Sequence, residues 1–545
     1  MSNIFTGKIK YLYIFLIFSI FVGIFVRFYG IEQSWLERDE PLYMVGEIKL
    51  NKDGNPYDPR LYHYQHPPVA QWFIGFPTRF IEADYSSVIK IPPQMYVFSY
   101  MVPLKEVYVP MRMVSAIFGV LAILLIFLIG KNLFNIKAGI WAALLASLSF
   151  DLIFYSRWVL SESVFVCLAL FTIYFYIKYL QAKNENLKII FISLTIIFFI
   201  LALGTRLYTP LFLIPILVIS QFMIKKGKKN LKENIAFLIL IIIGVYMLFE
   251  IIWSAPAYQA SKEFAGVTSA FNILQFSLHW VFISLIFRNS YLFLFSLIIL
   301  FYGFYIFIKK DTEQKLSFDF EKIKNYLKSS NLSLILIVFI IICVLGFGFT
   351  RYHEPRYQVI MFLPFFILCG RQMEKMDKNK IIMIITIALV ILNFYMFTQF
   401  FPYYGRYQNF STKLCGDYAV ACTISGLYNH IPEIKDVMEF LKNEGNPVII
   451  TNEHNLILFY EGKALPITGF FEEKCNKDYI ENLVKNAKYI VYYGAYSGKT
   501  DIKNDQYYCQ FIRELKLDLV KSFGNYSEKD MDPESLKVKI YKIGS

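Results

Sequence analysis

MRMVSAIFGVLAILLIFLIGKNLFNIKAGIWAALLASL, residues 111–148, holds two apolar runs separated by a short basic connector. The first run covers about 112–130 and the second about 138–155, so each has the roughly 17 to 25 residues that a helix needs to cross a hydrocarbon layer. Lys131 and Lys137 lie in the connector, where basic side chains mark the cytoplasmic side of a membrane hairpin.

The same reading extends outward from this hairpin. Further runs of spanning length fall near 11–29, 160–178, 189–204, 209–224, 235–252, 290–308, 332–349, 357–371 and 380–399, while 271–289 is ambiguous between an interfacial helix and half of a re-entrant pair. At 545 residues, 56% hydrophobic, the chain carries more apolar surface than a soluble fold of this size uses. The expected fold class is an α-helical polytopic membrane protein of about eleven transmembrane helices.

Charge sets the orientation. The formal charge of +13 comes from Lys and Arg placed between apolar runs and not on one basic face, so no nucleic-acid partner is expected. With the N-terminus cytoplasmic, the inner connections hold Lys8, Lys10, Lys131, Lys137, the run Lys225, Lys226, Lys228, Lys229 and Lys232, then Lys309, Lys310, Lys375, Lys378 and Lys380. Such a bias in short loops places the N-terminus inside and, with an odd number of spans, residues 401–545 outside. The first run has a basic flank but no small-residue cleavage site, and reads as an uncleaved anchor.

Two regions stand apart from the spans. Residues 30–110 form a long first outer connection in which aromatic, Pro and charged residues alternate, and short amphipathic helices lying on the bilayer are expected there. Residues 401–545 gain charge and lose long apolar runs; NPVIITN, AKYIVYYG and LKVKIYKI read as strands and IPEIKDVMEFLKNEG as a helix ending at Gly, which gives a small extracytoplasmic α/β domain. Domain limits of 1–400 and 401–545 follow. Cys167, Cys343 and Cys369 sit in apolar runs as small hydrophobes, whereas Cys415, Cys422, Cys475 and Cys509 in the tail allow two disulfides in any of three pairings. No CxxC or Cys/His spacing indicates a metal, and no cofactor is expected.

The chemistry-bearing residues share one side of this topology. Asp39 and Glu40 follow the first run as RDEP; SRWVLSES brings Arg157 and Glu162 to the third-to-fourth junction; GTRLYTP brings Arg206; TRYHEPRYQVIMFLPFF brings Arg351, His353, Glu354, Arg356 and Tyr357. Ionisable groups at the ends of spans are costly and mark functional sites.

Asp39 and Glu40, the His66-Pro67-Pro68 triplet, Arg157 with Glu162, and Arg356-Tyr357 entering a run with Leu363-Pro364 together resemble the membrane glycosyltransferases of the GT-C type, in the branch of protein O-mannosyltransferases and aminoarabinose transferases. The hairpin at 111–148, with Arg112 at its start, is similar to that branch's second and third spans, and the resemblance covers about residues 10–370. Glu162 stands where relatives often carry Asp, and Val69-Ala70-Gln71 follows the double Pro where mannosyltransferases tend to have LGK.

The resemblance implies transfer of one sugar, mannose by analogy, from a polyprenyl- or dolichyl-phosphate donor to an acceptor hydroxyl on a protein, lipid or glycan. It implies a single inverting displacement without a covalent sugar intermediate. A carboxylate deprotonates the acceptor and fixed cations take up developing phosphate charge. Asp39 is the expected base, Glu40 and Glu162 support it, and Arg206, Arg356, Arg157, Arg112 and His66 face the donor phosphate. Tyr43, Tyr357, His353 and Glu354 are placed near sugar or acceptor. An oligosaccharyltransferase would carry WWDYG in its tail, a string this sequence lacks. A transporter or flippase of lipid-linked precursors is the alternative, disfavoured because the charges gather at one face and not at the midplane.

Overall fold

The computed structural model describes residues 2–29, 31, 40–53, 68–83, 85, 105–206, 209–224, 231–247, 334–349, 359–376, 434–451, 460–466, 481, 484–493, 502–504, 513–523 and 538–544. Three of its helices are long and apolar enough to cross a membrane, Glu106–Leu133, Ser161–Gln181 and Glu185–Leu203, and four shorter apolar helices accompany them.

The central bundle is built from α1 (Ser2–Phe28), α4 (Lys105–Leu133), α5 (Ile136–Leu148), α6 (Phe150–Tyr155), α7 (Ser161–Gln181) and α8 (Glu185–Leu203). Asn135 caps α5 by accepting from the Ala138 amide at 3.0 Å, which turns the chain sharply after α4 and makes the hairpin that the connector foreshadowed. Gly130 and Gly139 then let the two backbones meet: a Cβ on Gly139 would lie 2.5 Å from the Phe127 carbonyl oxygen. Small residues at a helix contact permit this approach where lipid supplies no hydrophobic drive between helices.

The apolar run expected as one span over 138–155 is broken. Ser149 is extended (φ −63°, ψ 119°), so α5 stops at Leu148 and α6 starts anew at Phe150. Apolar periodicity cannot see this break because Ser147, Ser149 and Asp151 are buried among the apolar residues. The 209–224 run likewise opens as a 3-10 turn, Thr209–Phe212 with Pro210 inside it, before α9 (Leu213–Ile224). The chain continues through α10 (Leu231–Met247), α11 (Leu334–Phe349) and α12 (Phe362–Met376), the last packed on α5 and α4. The runs at 271–289, 290–308 and 380–399 lie outside the described residues.

Between α1 and α4 lie α2 (Glu40–Asp53), α3 (Val69–Ile74) and a 3-10 turn, Phe76–Arg79. These short helices are not simply laid on a surface. Tyr43, Met44, Ile48, Val69, Ala70 and Ile74 are buried in the same core as the spanning helices. Gly75 is the reason α2 and α3 can close on one another: a Cβ there would sit 2.3 Å from Asn51 Nδ2 and 2.7 Å from the Glu47 carbonyl oxygen. Trp72, Phe73, Phe76 and Phe80 remain exposed, an aromatic rim of the kind found at a membrane–water boundary.

The C-terminal region contributes α13 (Ile434–Asn443) and a mixed sheet of β1 (Ile449–Thr451), β2 (Ala464–Pro466), β3 (Tyr489–Tyr493), β4 (Leu517–Phe523) and β5 (Val538–Ile543), in the order β2-β1-β3-β5-β4. β1 runs parallel to both neighbours, and β5 antiparallel to β3 and β4. Successive residues split between faces: Ile449, Tyr489, Val491, Val538 and Ile540 pack with Ile434, Val437 and Leu441 of α13, while Ile450, Ile490, Tyr492 and Tyr541 form a second layer with Ile502 and Leu517. The helix ends where Gly445 takes φ +83°, as its sequence position foretold. Cys167, Cys343 and Cys369 are free, buried thiols; the four tail cysteines lie outside the described residues.

Candidate active site

Every third or fourth residue of α2 faces the bundle: Glu40, Tyr43, Met44, Glu47 and Ile48 are all buried. The stripe carries two carboxylates in place of apolar side chains. Glu40 stands in the first turn, where a negative charge suits the helix dipole. Arg112 donates to it twice, from Nε and Nη2, each at 2.6 Å, and the Val159 amide donates at 2.9 Å. Arg112 also reaches the Ile31 carbonyl at 2.9 Å and lies 4.9 Å from the Tyr108 ring. One guanidinium thus ties the exit of α1, the start of α2 and the turn before α7 into a unit.

Three residues beyond Val159, the first turn of α7 presents Glu162, whose Oε1 accepts from Arg206 Nη1 at 2.8 Å. Both side chains are nearly sealed from solvent, 1% and 2% exposed. Arg206 reaches this place because α8 ends at Gly204, onto which α3 docks. The Val69 amide donates to the Gly204 carbonyl at 2.9 Å, and a Cβ on Gly204 would meet Val69 Cγ2 at 2.4 Å. The segment immediately after His66-Pro67-Pro68 is therefore pinned beside the Glu162–Arg206 pair.

Arg157 is buried, and its Nη1 donates to the Tyr29 carbonyl at 2.7 Å and the Val26 carbonyl at 2.9 Å, so it caps the C-terminal end of α1. Tyr43 is buried on the inner stripe of α2. Asp39, His66, His353, Glu354, Arg356 and Tyr357 lie outside the described residues. Of the expected site residues, the structure gathers Glu40, Arg112, Glu162 and Arg206 around the 157–162 turn and gives Arg157 to α1.

Among the described residues, three buried charges escaped the sequence reading: Asp151, at the start of α6, Glu47 and Arg27. Glu47, two turns after Glu40, has neither carboxylate oxygen hydrogen-bonded among the described residues, and burial, then the charge of Glu40, hold its carboxyl well above the ordinary range. The signal was present: Glu47 keeps helical register with Glu40, Tyr43 and Met44. Arg27 is also fully buried; Nη1 donates to the carbonyls of Gly23 (3.0 Å) and Ser147 (3.3 Å), while Nε and Nη2 lack partners among the described residues. It lies at the end of a run that reads as purely apolar.

Chemically, the cluster offers carboxylates paired with guanidinium groups in a buried setting. Among the described residues no group of three or more His, Cys, Asp and Glu side chains is arranged to hold a metal ion.

The fold has counterparts among solved structures. Residues 92–253 match the family described as dolichyl-phosphate-mannose-protein mannosyltransferase. ArnT from Cupriavidus metallidurans in the apo state is similar over 98% of this chain and 98% of its own, at 11% identity and a TM-score of 0.57. The same enzyme bound to undecaprenyl phosphate is similar over 97% and 98%, at 12% identity and 0.55. The apo oligosaccharyltransferase of Archaeoglobus fulgidus shares less, with 11% identity, 95% of this chain, 75% of that one and a TM-score of 0.47. No curated protein matches the sequence. The chain thus has a fold similar to that of ArnT, and its residues 92–253 match the mannosyltransferase pattern.

Proposed function

We propose that the protein transfers a single sugar from a polyprenyl- or dolichyl-phosphate donor to an acceptor hydroxyl at the extracytoplasmic face, with inversion at the anomeric carbon and Asp39 as general base. The observation that carries this reading is the clasp on Glu40. Three donors hold that carboxylate, which anchors the start of α2, one peptide unit from Asp39. A base must be held to within a fraction of an ångström to act, and a guanidinium locked on the next residue supplies such support.

In this reading Glu162 and Arg206 act together. The donor phosphate draws on Arg206, with Arg356 and His66 contributing from their neighbouring connections, and Glu162 keeps Arg206 oriented before the donor arrives. Arg112 and Arg157 act through the backbone they hold. Tyr43, Tyr357, His353 and Glu354 serve sugar and acceptor contacts, by proximity in sequence to these groups. ArnT, similar in fold, binds undecaprenyl phosphate, which supports a lipid phosphate as donor here. Residues 1–400 form the catalytic membrane domain and 401–545 an outer α/β domain that helps to select the acceptor. The N-terminus is cytoplasmic, as the inner lysines require.

The test uses the purified full-length protein, radiolabelled dolichyl-phosphate mannose and a membrane extract as acceptor source. Label moves to acceptor with the wild type and falls by a factor of roughly 10² to 10⁴ with Asp39→Asn, the range that general-base assistance supplies. Full transfer by Asp39→Asn removes the catalytic assignment. No transfer by the wild type from dolichyl- and undecaprenyl-phosphate sugars alike removes the enzyme reading.

A further inference from the structure

A cleft of about 610 Å³ opens beside the end of α2, away from the Glu162–Arg206 pair in sequence and in its lining, with Lys52, Arg79, Phe80, Glu82 and Tyr85 among the residues that line it. Its cations are held in place. Arg79 donates from Nε to Asn51 Oδ1 at 3.0 Å and lies 5.7 Å from the Phe76 ring. Asn51 is itself fastened through Nδ2 to the carbonyls of Glu47 (2.9 Å) and Gln71 (3.2 Å). Lys52 closes α2, and its Nζ lies 4.6 Å from the ring of Tyr85, whose hydroxyl donates to the Ile81 carbonyl at 3.1 Å. The Lys52 and Arg79 side chains are exposed, and so are Phe76 and Phe80 of the aromatic rim.

We infer that this cleft binds the headgroup of an anionic membrane phospholipid, its phosphodiester between Lys52 and Arg79 and its acyl chains running past Phe76 and Phe80. Charge selects the class. Among the described lining residues, Lys52 and Arg79 against Glu82 leave one positive charge in excess, which complements a headgroup whose net charge is that of one phosphodiester. Glu82 accepts from headgroup hydroxyls, so a glycerol headgroup fits better than a bare phosphate. Glu106 on α4 acts on Tyr85, whose hydroxyl burial and that carboxylate together hold above its ordinary range, but it does not line the cleft. Guanidinium and ammonium groups at a lipid surface each add about one such increment of attraction, and the aromatic rim places them at headgroup depth. None of the residues proposed to face the donor phosphate is among the lining residues of the cleft, and the inference stands whether or not the sugar-transfer reading does.

Native mass spectrometry of the full chain, released from micelles doped with equal amounts of phosphatidylglycerol and phosphatidylcholine, tests it. The wild type is expected to retain phosphatidylglycerol over phosphatidylcholine by about fivefold, the worth of one net cation near a lipid surface. Arg79→Ala with Lys52→Ala brings the ratio near one, Arg79→Lys keeps it, and Glu82→Gln raises it. Equal retention of both lipids by the wild type overturns the inference, as does an unchanged preference in the double variant. Inorganic phosphate at millimolar concentration is expected not to displace the lipid; displacement means that the cleft takes free phosphate, which also overturns it.

Discussion

α7 joins two buried polar sites that solve the same problem differently. At its N-terminal end Glu162 meets Arg206, and the adjoining turn meets the Glu40–Arg112 pair, so full charges are sealed in. At its C-terminal end the fastening runs mainly through hydroxyls and amides, with the Glu233 carboxylate taking one bond and the Lys178 ammonium donating to Asn132 Oδ1 at 2.6 Å. The Tyr176 hydroxyl donates to Gln221 Oε1 at 3.1 Å, Gln221 Nε2 donates to Asn234 Oδ1 at 3.1 Å, and Tyr179 donates to Glu233. Hydroxyls and amides cross-link α7, α9 and α10 without the desolvation of paired ions, which costs several kcal/mol per charge. A helix bundle that needed only cohesion could use the second solution at both ends. The charged pairs at one end are therefore read as equipment for a ligand, and the contrast can be attacked from either side.

The largest effect is expected from Arg112→Met. It leaves Glu40 buried with its carboxylate stripped of two donors, a loss of about 3 to 5 kcal/mol in stability, readable as a fall in the thermal midpoint of the detergent-purified protein. Adding Glu40→Leu to Arg112→Met recovers most of that stability, because an apolar pair of similar volume replaces an ion pair at little cost. Transfer from dolichyl-phosphate mannose stays lost in the double variant. Activity that returned with stability would make the pair a structural clasp and erase the contrast between the two ends of α7. Gly204→Leu comes next: its side chain must displace Val69, whose Cγ2 stands 2.4 Å from the position of a Cβ. Overpacking of this kind costs about 1 to 3 kcal/mol, and the shift of α3 lowers activity more than stability because the His-Pro-Pro segment moves with it.

Glu47 sharpens the comparison from within α2. Its carboxyl is raised well above 4.5 by burial and by Glu40, so the folded state holds a proton that the unfolded chain has already released as pH climbs past the ordinary carboxylate range. The unfolded state binds fewer protons in that window, so stability falls as pH rises from about 4.5 through the folded-state value. Glu47→Gln removes the slope. The variant's thermal midpoint is expected to equal the wild type's near pH 4 and to exceed it at pH 8. Parallel curves for the two proteins would mean that Glu47 is solvated or paired in solution.

These sites also show what the chain made legible. The 111–148 hairpin was readable because Lys131, Asn135 and Lys137 interrupt apolar runs of spanning length, and the strands around Ile450, Ile490 and Ile540 because alternation covers both faces of a sheet. Glu40, Glu162 and Arg206 were singled out because charge at the ends of apolar runs is rare. Their pairing was not readable: Glu40 and Arg112 are far apart in sequence, and nothing local says that Arg112 serves Glu40 and not a phosphate. The break at Ser149 was hidden since three small or polar residues are tolerated inside an apolar run. Glu47 was missed because a carboxylate on a helix of mixed polarity reads as solvated until the opposite wall is known. Asp39, His66, His353, Glu354, Arg356 and Tyr357 lie outside the described residues, so their part in the site rests on sequence and on the resemblance.

The smallest expected effect comes from the C-terminal end of α7. Tyr176→Phe keeps the ring against Phe237 and removes one hydroxyl, so the loss is that of a single buried hydrogen bond, about 1 kcal/mol. Transfer activity should be unchanged within a factor of two or so, since that amount of stability leaves the folded population intact in a protein of ordinary stability. The comparison makes the result informative: removal of one hydroxyl at this end should act on the thermal midpoint alone, whereas Glu162→Gln, also a change of one atom, should act on activity first by loosening Arg206. If Tyr176→Phe abolished transfer while the protein stayed folded, the C-terminal end of α7 would be part of the reaction machinery, and the division between a working end and a fastening end would be wrong.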